Sequence, residues 1–249
     1  KGLLSAFGIV VFSQVLSIGG VKASRIVGLE GLSEIESSPL RCPDPEAEKA
    51  MIARLDELKA CGDSAGGTFR VDVIGAPPGL GSYVAWDRRL DARLSGAVMS
   101  IPAIKGVEIG LGFAAADLPG SMVHDEIGLP QTAGMSRGSF LRESNRAGGI
   151  EGGMSNGEPI WLIAAMKPIP TLYKPLRSFD LRTGEPWQAA VERSDICAVP
   201  AAAVVAEAMV AWVVADAMVE KFGGDSIGEM AANVKAYMRR VESALRWDG

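Results

Sequence analysis

Three stretches of this 249-residue chain carry residue types at spacings suited to chemistry. The first is Arg142 to Thr171, RESNRAGGIEGGMSNGEPIWLIAAMKPIPT. It opens on four side chains able to bind anions: Arg142, Ser144, Asn145 and Arg146. It continues through Gly148, Gly149, Gly152, Gly153 and Gly157, with Ser155 and Asn156 between them. Glycines let backbone N–H groups approach a ligand closely, and successive donors make a concave site for phosphate or carbonyl oxygens. A Gly-rich turn leading into a core strand accounts for the glycines equally well. The run is not a dinucleotide fingerprint, since no strand precedes it and no helix clearly follows. The second stretch is Lys167 at a strand end, between Met166 and Pro168, where it either snorkels to water or balances charge on a ligand. The third is Arg193-Ser194-Asp195, just before a long apolar helix. It reads as a cap or ion pair at the helix start, or as a cation beside a base. The single histidine, His124, stands beside Asp125 and Glu126. It can act as a proton carrier, but a residue so placed is more often a surface or structural histidine.

The elements that must position these residues are legible in outline. Ile160 to Met166 has the length of one buried strand, and it ends at Lys167-Pro168-Ile169-Pro170-Thr171, where prolines fix the local backbone. Lys1 to Ala6 reads as the last turns of a helix with Gly8 as its C-cap, so a part upstream of Lys1 is expected. Ile9 to Ile18 reads as a strand, and Arg25 to Leu40 is weakly patterned and partly loop. Asp44 is an N-cap, with Pro45 at the first helical position and Glu46 and Glu48 in the first turn. Met51, Ile52, Leu55 and Leu58 then form a helical stripe that Gly62 ends. Thr68 to Ile74 is a strand stopped by Pro77-Pro78. Asp87 to Met99 is a helix with Leu90, Leu94 and Val98 on one face, and its Arg88, Arg89 and Arg93 are most simply solvated.

Ile104 to Phe113 is expected as a strand. Lys105, Val107, Ile109, Leu111 and Phe113 line one side of it, and Gly106, Glu108, Gly110 and Gly112 the other. Glycines there mark close approach of a ligand or another backbone, or a bulge. Residues 120–147 are loop-like. Pro200 precedes a helix running to about Phe222, closed by Gly223-Gly224. Ser226 and Glu229 form a capping-box pattern. Ile227, Met230, Ala231, Val234, Met238 and Val241 give the last helix an amphipathic stripe.

The net charge of −5 argues against a nucleic-acid partner, which usually demands a basic face. Cys42, Cys61 and Cys197 are odd in number and widely spaced, which fits reduced thiols in a cytoplasmic protein rather than a disulfide framework or a metal site. The longest apolar run, Ala198 to Val219, contains Glu207 and Asp216, so it reads as a buried helix and not a membrane span. With no internal repeat or low-complexity linker, residues 1–249 are expected to form one domain, and on pattern alone the class is α+β or α/β.

The stretches SNRAGGIEGGMSNGEPI and AMKPIPT closely resemble the chorismate synthase family. So do LRCPDPEAEKAMIARLDELKACGDSAGG, PPGLGS, WDRRLDARL, MSIPAIKGVEIGLGF and VHDEIG, and, further on, ERSDICAVPAAAVVAEAM and EKFGGDS. The resemblance covers nearly the whole chain in order. The family's N-terminal part, with its Gly-Glu-Ser-His-Gly, Pro-Gly-His-Ala-Asp and Ser-Ala-Arg-Glu-Thr segments and several arginines, has no counterpart here. The chain is therefore expected to be the C-terminal two-thirds of such an enzyme.

The resemblance implies an α+β fold, a sandwich of antiparallel sheets around central helices, assembled as a cytoplasmic homotetramer. It implies a lyase that removes phosphate and a C6 hydrogen from 5-enolpyruvylshikimate 3-phosphate by 1,4-anti elimination, giving chorismate in aromatic amino-acid biosynthesis. Reduced FMN is required without net redox change, and NADP is associated with the family. The residues implied around the flavin are Pro102, Ala103, Gly152, Lys167, Pro168, Ile169, Pro170, Thr171 and Arg193. Asp195 is implied as the group assisting proton transfer near the ring N5. Leu111 departs from the family, which usually has an acidic residue there. His124 does not correspond to the family's two mechanistic histidines, which lie in the unmatched part. The alternative reading is a non-catalytic flavin- or phosphate-binding fragment.

Overall fold

The computed structural model describes residues 1–128 and 141–244. In chain order, α1 (Gly2–Ser5) leads to β1 (Val10–Ile18), β2 (Val21–Lys22), α2 (Leu32–Ser37), α3 (Pro45–Ala60), β3 (Gly67–Ile74), α4 (Leu90–Met99) and β4 (Ile104–Ile109). Then come α5 (Gly120–Val123), the ribbon of β5 (Ile127–Gly128) and β6 (Leu141–Arg142), and the ribbon of β7 (Ile150–Glu151) and β8 (Met154–Ser155). The chain continues through β9 (Ile160–Met166), the ribbon of β10 (Arg177–Phe179) and β11 (Pro186–Gln188), α6 (Val199–Phe222) and α7 (Ile227–Ala244). Residues 129–140 of the expected loop region lie outside the described residues.

The α+β class and the antiparallel sheets are as the resemblance implies. Five strands pair antiparallel in the order β2-β1-β3-β9-β4. On one face, Val11 and Val15 of β1, Phe69, Val71 and Val73 of β3, and Ile160, Leu162 and Ala164 of β9 are buried with Leu90, Leu94 and Val98 of α4 and the inner side of α6. Each large apolar side chain so buried contributes roughly 1.5–3 kcal/mol. On the other face, Phe12 packs with Val27 and Ile35, and the Gln14 amide bonds both backbone polar groups of Val27. Val11 to Val15 are thus buried on both sides. Burial on both faces encloses Ser13 and Gln14, and each is satisfied there, Ser13 by Glu207 and Gln14 by Val27.

Asp44 caps α3, its carboxylate accepting from the Ala47 N–H at 3.1 Å. The Ser24 hydroxyl, with the Ala47 and Ser24 N–H groups, holds the Asp44 carboxyl down at about 2. Because this value lies below the ordinary 3.8, the cap's charge-dependent stability is complete above pH 3.8 and is lost as pH falls towards 2. Asparagine keeps the cap but cannot titrate. The gap in melting temperature between the parent and Asp44→Asn should therefore close between pH 5 and pH 2 in thermal scans. A gap constant with pH would show that Asp44 acts through geometry alone.

Several expectations need correction. The strand beginning at Ile104 ends at Ile109, and a 3-10 helix spans Gly112–Asp117. The strand stops because Gly110, at φ +58°, crosses the 146–148 backbone so closely that a Cβ would lie 2.2 Å from the Arg146 carbonyl oxygen. Leu111 and Phe113 are therefore off the strand, and Phe113 is 79% exposed. Ile52 lies on the open side of α3. The arginines at α4 are paired rather than merely solvated: Arg88 and Arg93 bind Glu220, Arg93 also binds Asp216, and Arg89 binds Asp91, so the first two pin α4 to α6.

The stripe on α7 is covered only in part. Met230 is buried, whereas Ile227 is 56% exposed. The expected capping box forms in altered form: the Ser226 hydroxyl accepts from the Glu229 N–H, but the Glu229 carboxylate reaches the N–H of Asp225. By length and composition α6 is able to cross a bilayer. In the fold one side lies along β1, β3 and α4 and carries the buried Glu207. The opposite side, with Val204, Val205, Trp212 and Val219, is open, and Trp212 is 74% exposed.

Candidate active site

At one end of the sheet, four chain segments converge. Ile18 pairs with Gly67, Gly67 with Met166, and Met166 with Ile104. Gly19, Gly66, Lys167 and Ala103 therefore emerge side by side. The Lys167 N–H donates to the Ala103 carbonyl at 2.9 Å, and the Gly19 N–H to the Gly66 carbonyl at 2.9 Å. Ala103 sits at φ +69°, a region non-glycine residues rarely occupy. The small methyl side chain makes this strained turn tolerable, and such strain clusters at ligand sites.

The segment before α6 runs alongside. The Ala65 N–H donates to the Ile196 carbonyl at 2.8 Å, and Ala65 bridges Cys197 in parallel. The Ser194 hydroxyl donates to the Thr171 carbonyl at 2.9 Å. Pro102, Ala103, Lys167, Pro168, Ile169, Pro170, Thr171, Arg193 and Asp195, expected from scattered parts of the sequence, thus meet at one end of one sheet.

The charged groups there are uncommitted. Lys167, Arg193 and Asp195 are exposed. Among the described residues none of the three takes part in an ion pair. Ala198 occupies the N-cap of α6 without a side-chain cap bond, so Asp195 does not cap the helix. Both bland readings of Asp195, cap and ion pair, are unmet among the described residues. Two cations and a carboxylate facing solvent at a strained turn suit an anionic ligand together with a proton acceptor.

Gly152 stands apart. It forms the turn of the β7–β8 ribbon at φ +59°, while Gly149 backs onto Ile160 at the start of β9. Met166 lies roughly 20 Å further along that strand at about 3.3 Å per residue. Two of the other glycines of the run have their amides engaged. The Gly149 N–H donates to the Asn145 side chain, and the Gly148 N–H to the Asn145 backbone carbonyl. A Cβ on Gly153 would lie 2.7 Å from the Ser82 carbonyl oxygen. These glycines serve close crossings of backbone.

The polar residues ahead of them are likewise engaged. Arg142 binds Glu151, the Asn145 amide binds the Pro159 carbonyl, and Asp125 accepts from the Ser144 hydroxyl and the Arg146 and Ala147 N–H groups. Burial pushes the Asp125 carboxyl up, but the Ser144 hydroxyl and the two N–H groups outweigh it and hold the group below its ordinary value. His124 is exposed, as a surface histidine would be. Sequence reasoning missed Ser64 and the partner of Ser194: their hydroxyls hold the Lys167–Thr171 segment from two sides. The available signal was the turn CGDSAGG, in which only Gly62 had been assigned a role, as a helix stop.

Known proteins carry the same pattern. The sequence model of the family described as chorismate synthase matches residues 1–219. The chorismate synthase of Desulforamulus reducens is 57% identical over 242 residues, covering 96% of this chain and 61% of that protein. That of Geobacter sulfurreducens is 56% identical over 248 residues, covering 98% of this chain and 63% of that protein. A crystal structure of chorismate synthase superimposes with a TM-score of 0.80 at 44% identity, over 96% of this chain and 66% of that one. The chain thus spans somewhat less than two thirds of the length of these curated relatives. With the family model, the relatives and the fold in agreement over nearly all its residues, the chain belongs to the chorismate synthase family.

Proposed function

We propose that this chain forms a large part of a chorismate synthase, a carbon–oxygen lyase that eliminates phosphate from 5-enolpyruvylshikimate 3-phosphate to give chorismate. The observation that carries the reading is the convergence of Pro102–Ala103, Lys167–Thr171 and Arg193–Asp195 at one sheet end, with both cations and the carboxylate outside any ion pair among the described residues. The donor set fits a reduced FMN. Along this edge the Ile169 and Thr171 N–H groups and the Lys167, Pro168 and Pro170 carbonyls make no backbone bond among the described residues and are open to a ligand. Lys167 and Arg193 supply positive charge for an anionic ring or phosphate. When bound, reduced FMN supplies a strong electron donor against the substrate, without net oxidation.

The residues of this chain have separate tasks. Lys167 and Arg193 attract and orient anionic groups. The prolines at 168 and 170 hold that edge rigid. Asp195 accepts a proton in the late step, where a positioned carboxylate is effective. Stabilising the departing phosphate needs further cations beyond these two. Assembly as a cytoplasmic homotetramer, with no nucleic acid or membrane, completes the proposal, and a partner subunit is a natural cover for the open side of α6 around Trp212.

The alternative reading is a flavin- or phosphate-binding fragment without turnover. Anaerobic titration with reduced FMN, followed by absorbance, tests both. The chain alone is expected to bind FMN weakly and form no chorismate, and the same chain extended to the length of its relatives should bind tightly and form it. Tight stoichiometric binding by the chain alone would show that the present residues suffice. An extended chain that makes no chorismate would overturn the lyase reading.

A further inference from the structure

The Cys61–Gly67 turn touches both halves of the site at once. Ser64 is buried, and its hydroxyl donates to the Ile169 carbonyl at 2.6 Å, in the middle of the Lys167–Thr171 segment. Gly66 lies directly under the start of that segment. A Cβ there would be 2.3 Å from the Met166 carbonyl oxygen and 2.9 Å from Pro168 Cδ. Further along, the Gly62 carbonyl accepts from the Lys174 N–H at 2.9 Å. From its other side, the Ala65 N–H grips the Ile196 carbonyl, one residue past Asp195. One short turn therefore sets the spacing between the segment that carries Lys167 and the segment that carries Arg193 and Asp195. The Ser194–Thr171 bond closes the same gap from the opposite end.

We propose that Ser64 is a positioning residue of this site: its hydroxyl, above the bare backbone of Gly66, fixes the Lys167–Thr171 edge relative to Arg193 and Asp195. The carbonyl it bonds is the one between Pro168 and Pro170, at the centre of the segment that carries Lys167. Prolines donate no backbone hydrogen bond, so Pro168 and Pro170 cannot anchor this edge through their own nitrogens. Beyond the Lys167 N–H bond to Ala103, the edge is held through its carbonyls, Ile169 by the Ser64 hydroxyl and Thr171 by the Ser194 hydroxyl.

The proposal rests on the flavin-site reading above, and the experiment separates the two. In a chain extended to the length of its relatives, Ser64→Ala should raise the dissociation constant for reduced FMN by roughly 3–10-fold, the equivalent of one lost hydrogen bond. It should lower kcat with little change in KM for the enolpyruvyl substrate. Ser64→Thr, which keeps the hydroxyl, should restore both. Ser194→Ala should shift FMN binding in the same direction, and it carries the test if Ser64→Ala fails to fold. FMN affinity and kcat unchanged in the folded variants would overturn the positioning role. So would equal impairment of Ser64→Ala and Ser64→Thr, or a fall in melting temperature as the sole effect. A parent chain that neither binds reduced FMN nor forms chorismate would overturn the flavin-site reading, and this proposal with it.

Discussion

Asp195→Asn, made in a chain extended to the length of its relatives, is expected to slow turnover by about 10²–10⁴-fold, the usual contribution of a general acid or base. Flavin and substrate binding should change little, because asparagine keeps the size and polarity of the side chain. The structure sharpens this expectation. Asp195 is exposed, and among the described residues it neither caps α6 nor pairs with a cation. Substitution at such a surface position usually moves stability by no more than about 0.5 kcal/mol. The melting temperature should therefore stay where it is while the rate collapses. Single-turnover kinetics with reduced FMN and the enolpyruvyl substrate, beside a thermal scan, give the answer. A variant that melts earlier yet converts substrate at the parent rate would make Asp195 part of the scaffold.

Local signals in the sequence were reliable where they depended on neighbours in the chain. Asp44-Pro45 opens α3, Gly8 and Gly62 adopt positive φ where helices stop, and Ile160 to Met166 form one strand with the expected ends. Signals that depended on distant backbone left alternatives open that the chain alone could not decide. The glycines of 106–112 were attributed to one strand, but Gly110 ends that strand because the chain at Arg146 crosses it. The glycines of 148–157 read equally as an anion cradle or as a turn into a core strand; Asn145 takes the amides of Gly148 and Gly149, and Gly148, Gly149 and Gly153 lie against passing backbone. Arg88 and Arg93 look solvated in sequence because their partners, Asp216 and Glu220, lie more than a hundred residues on. The site itself became readable through the family resemblance. Periodicity has no means of saying that Ala103, Lys167 and Asp195 share one sheet end. Ser64 escaped notice for the same reason, since its partner is Ile169.

Glu207→Leu is expected to be among the most destabilising single substitutions in the chain. Its carboxylate is almost wholly buried on the sheet-facing side of α6, accepting from the Ser13 hydroxyl at 2.7 Å and from Arg41 at 2.8 Å, with Lys1 as a further partner. The Arg41 side chain is itself only 12% exposed. Taking away the carboxylate strands that guanidinium in the interior, with Glu36 at its outer edge as the remaining acid. Removing one partner of a buried pair typically costs about 3–5 kcal/mol, which for a domain of this size lowers the melting temperature by roughly 6–20 °C. Arg41→Met combined with Glu207→Leu should recover much of the loss, because no orphaned charge then remains. If the double variant is as unstable as the sum of the two single ones, the cluster does not act as a coupled unit.

The place of β9 has a bearing on how the chain matures during synthesis. It lies between β3 and β4, pairing Gly67 through Val73 on one side and Ile104 through Ile109 on the other, although both neighbours precede it in the chain. While the chain is being made, the facing edges of β3 and β4 emerge first and find no partner. At roughly 5–20 residues per second, translation leaves them waiting for about 3 to 18 seconds until Met166 has been added. Open edges invite pairing with other nascent chains, so this interval is the exposed step in its biogenesis. Synthesis past Met166 supplies the one strand that pairs with both edges.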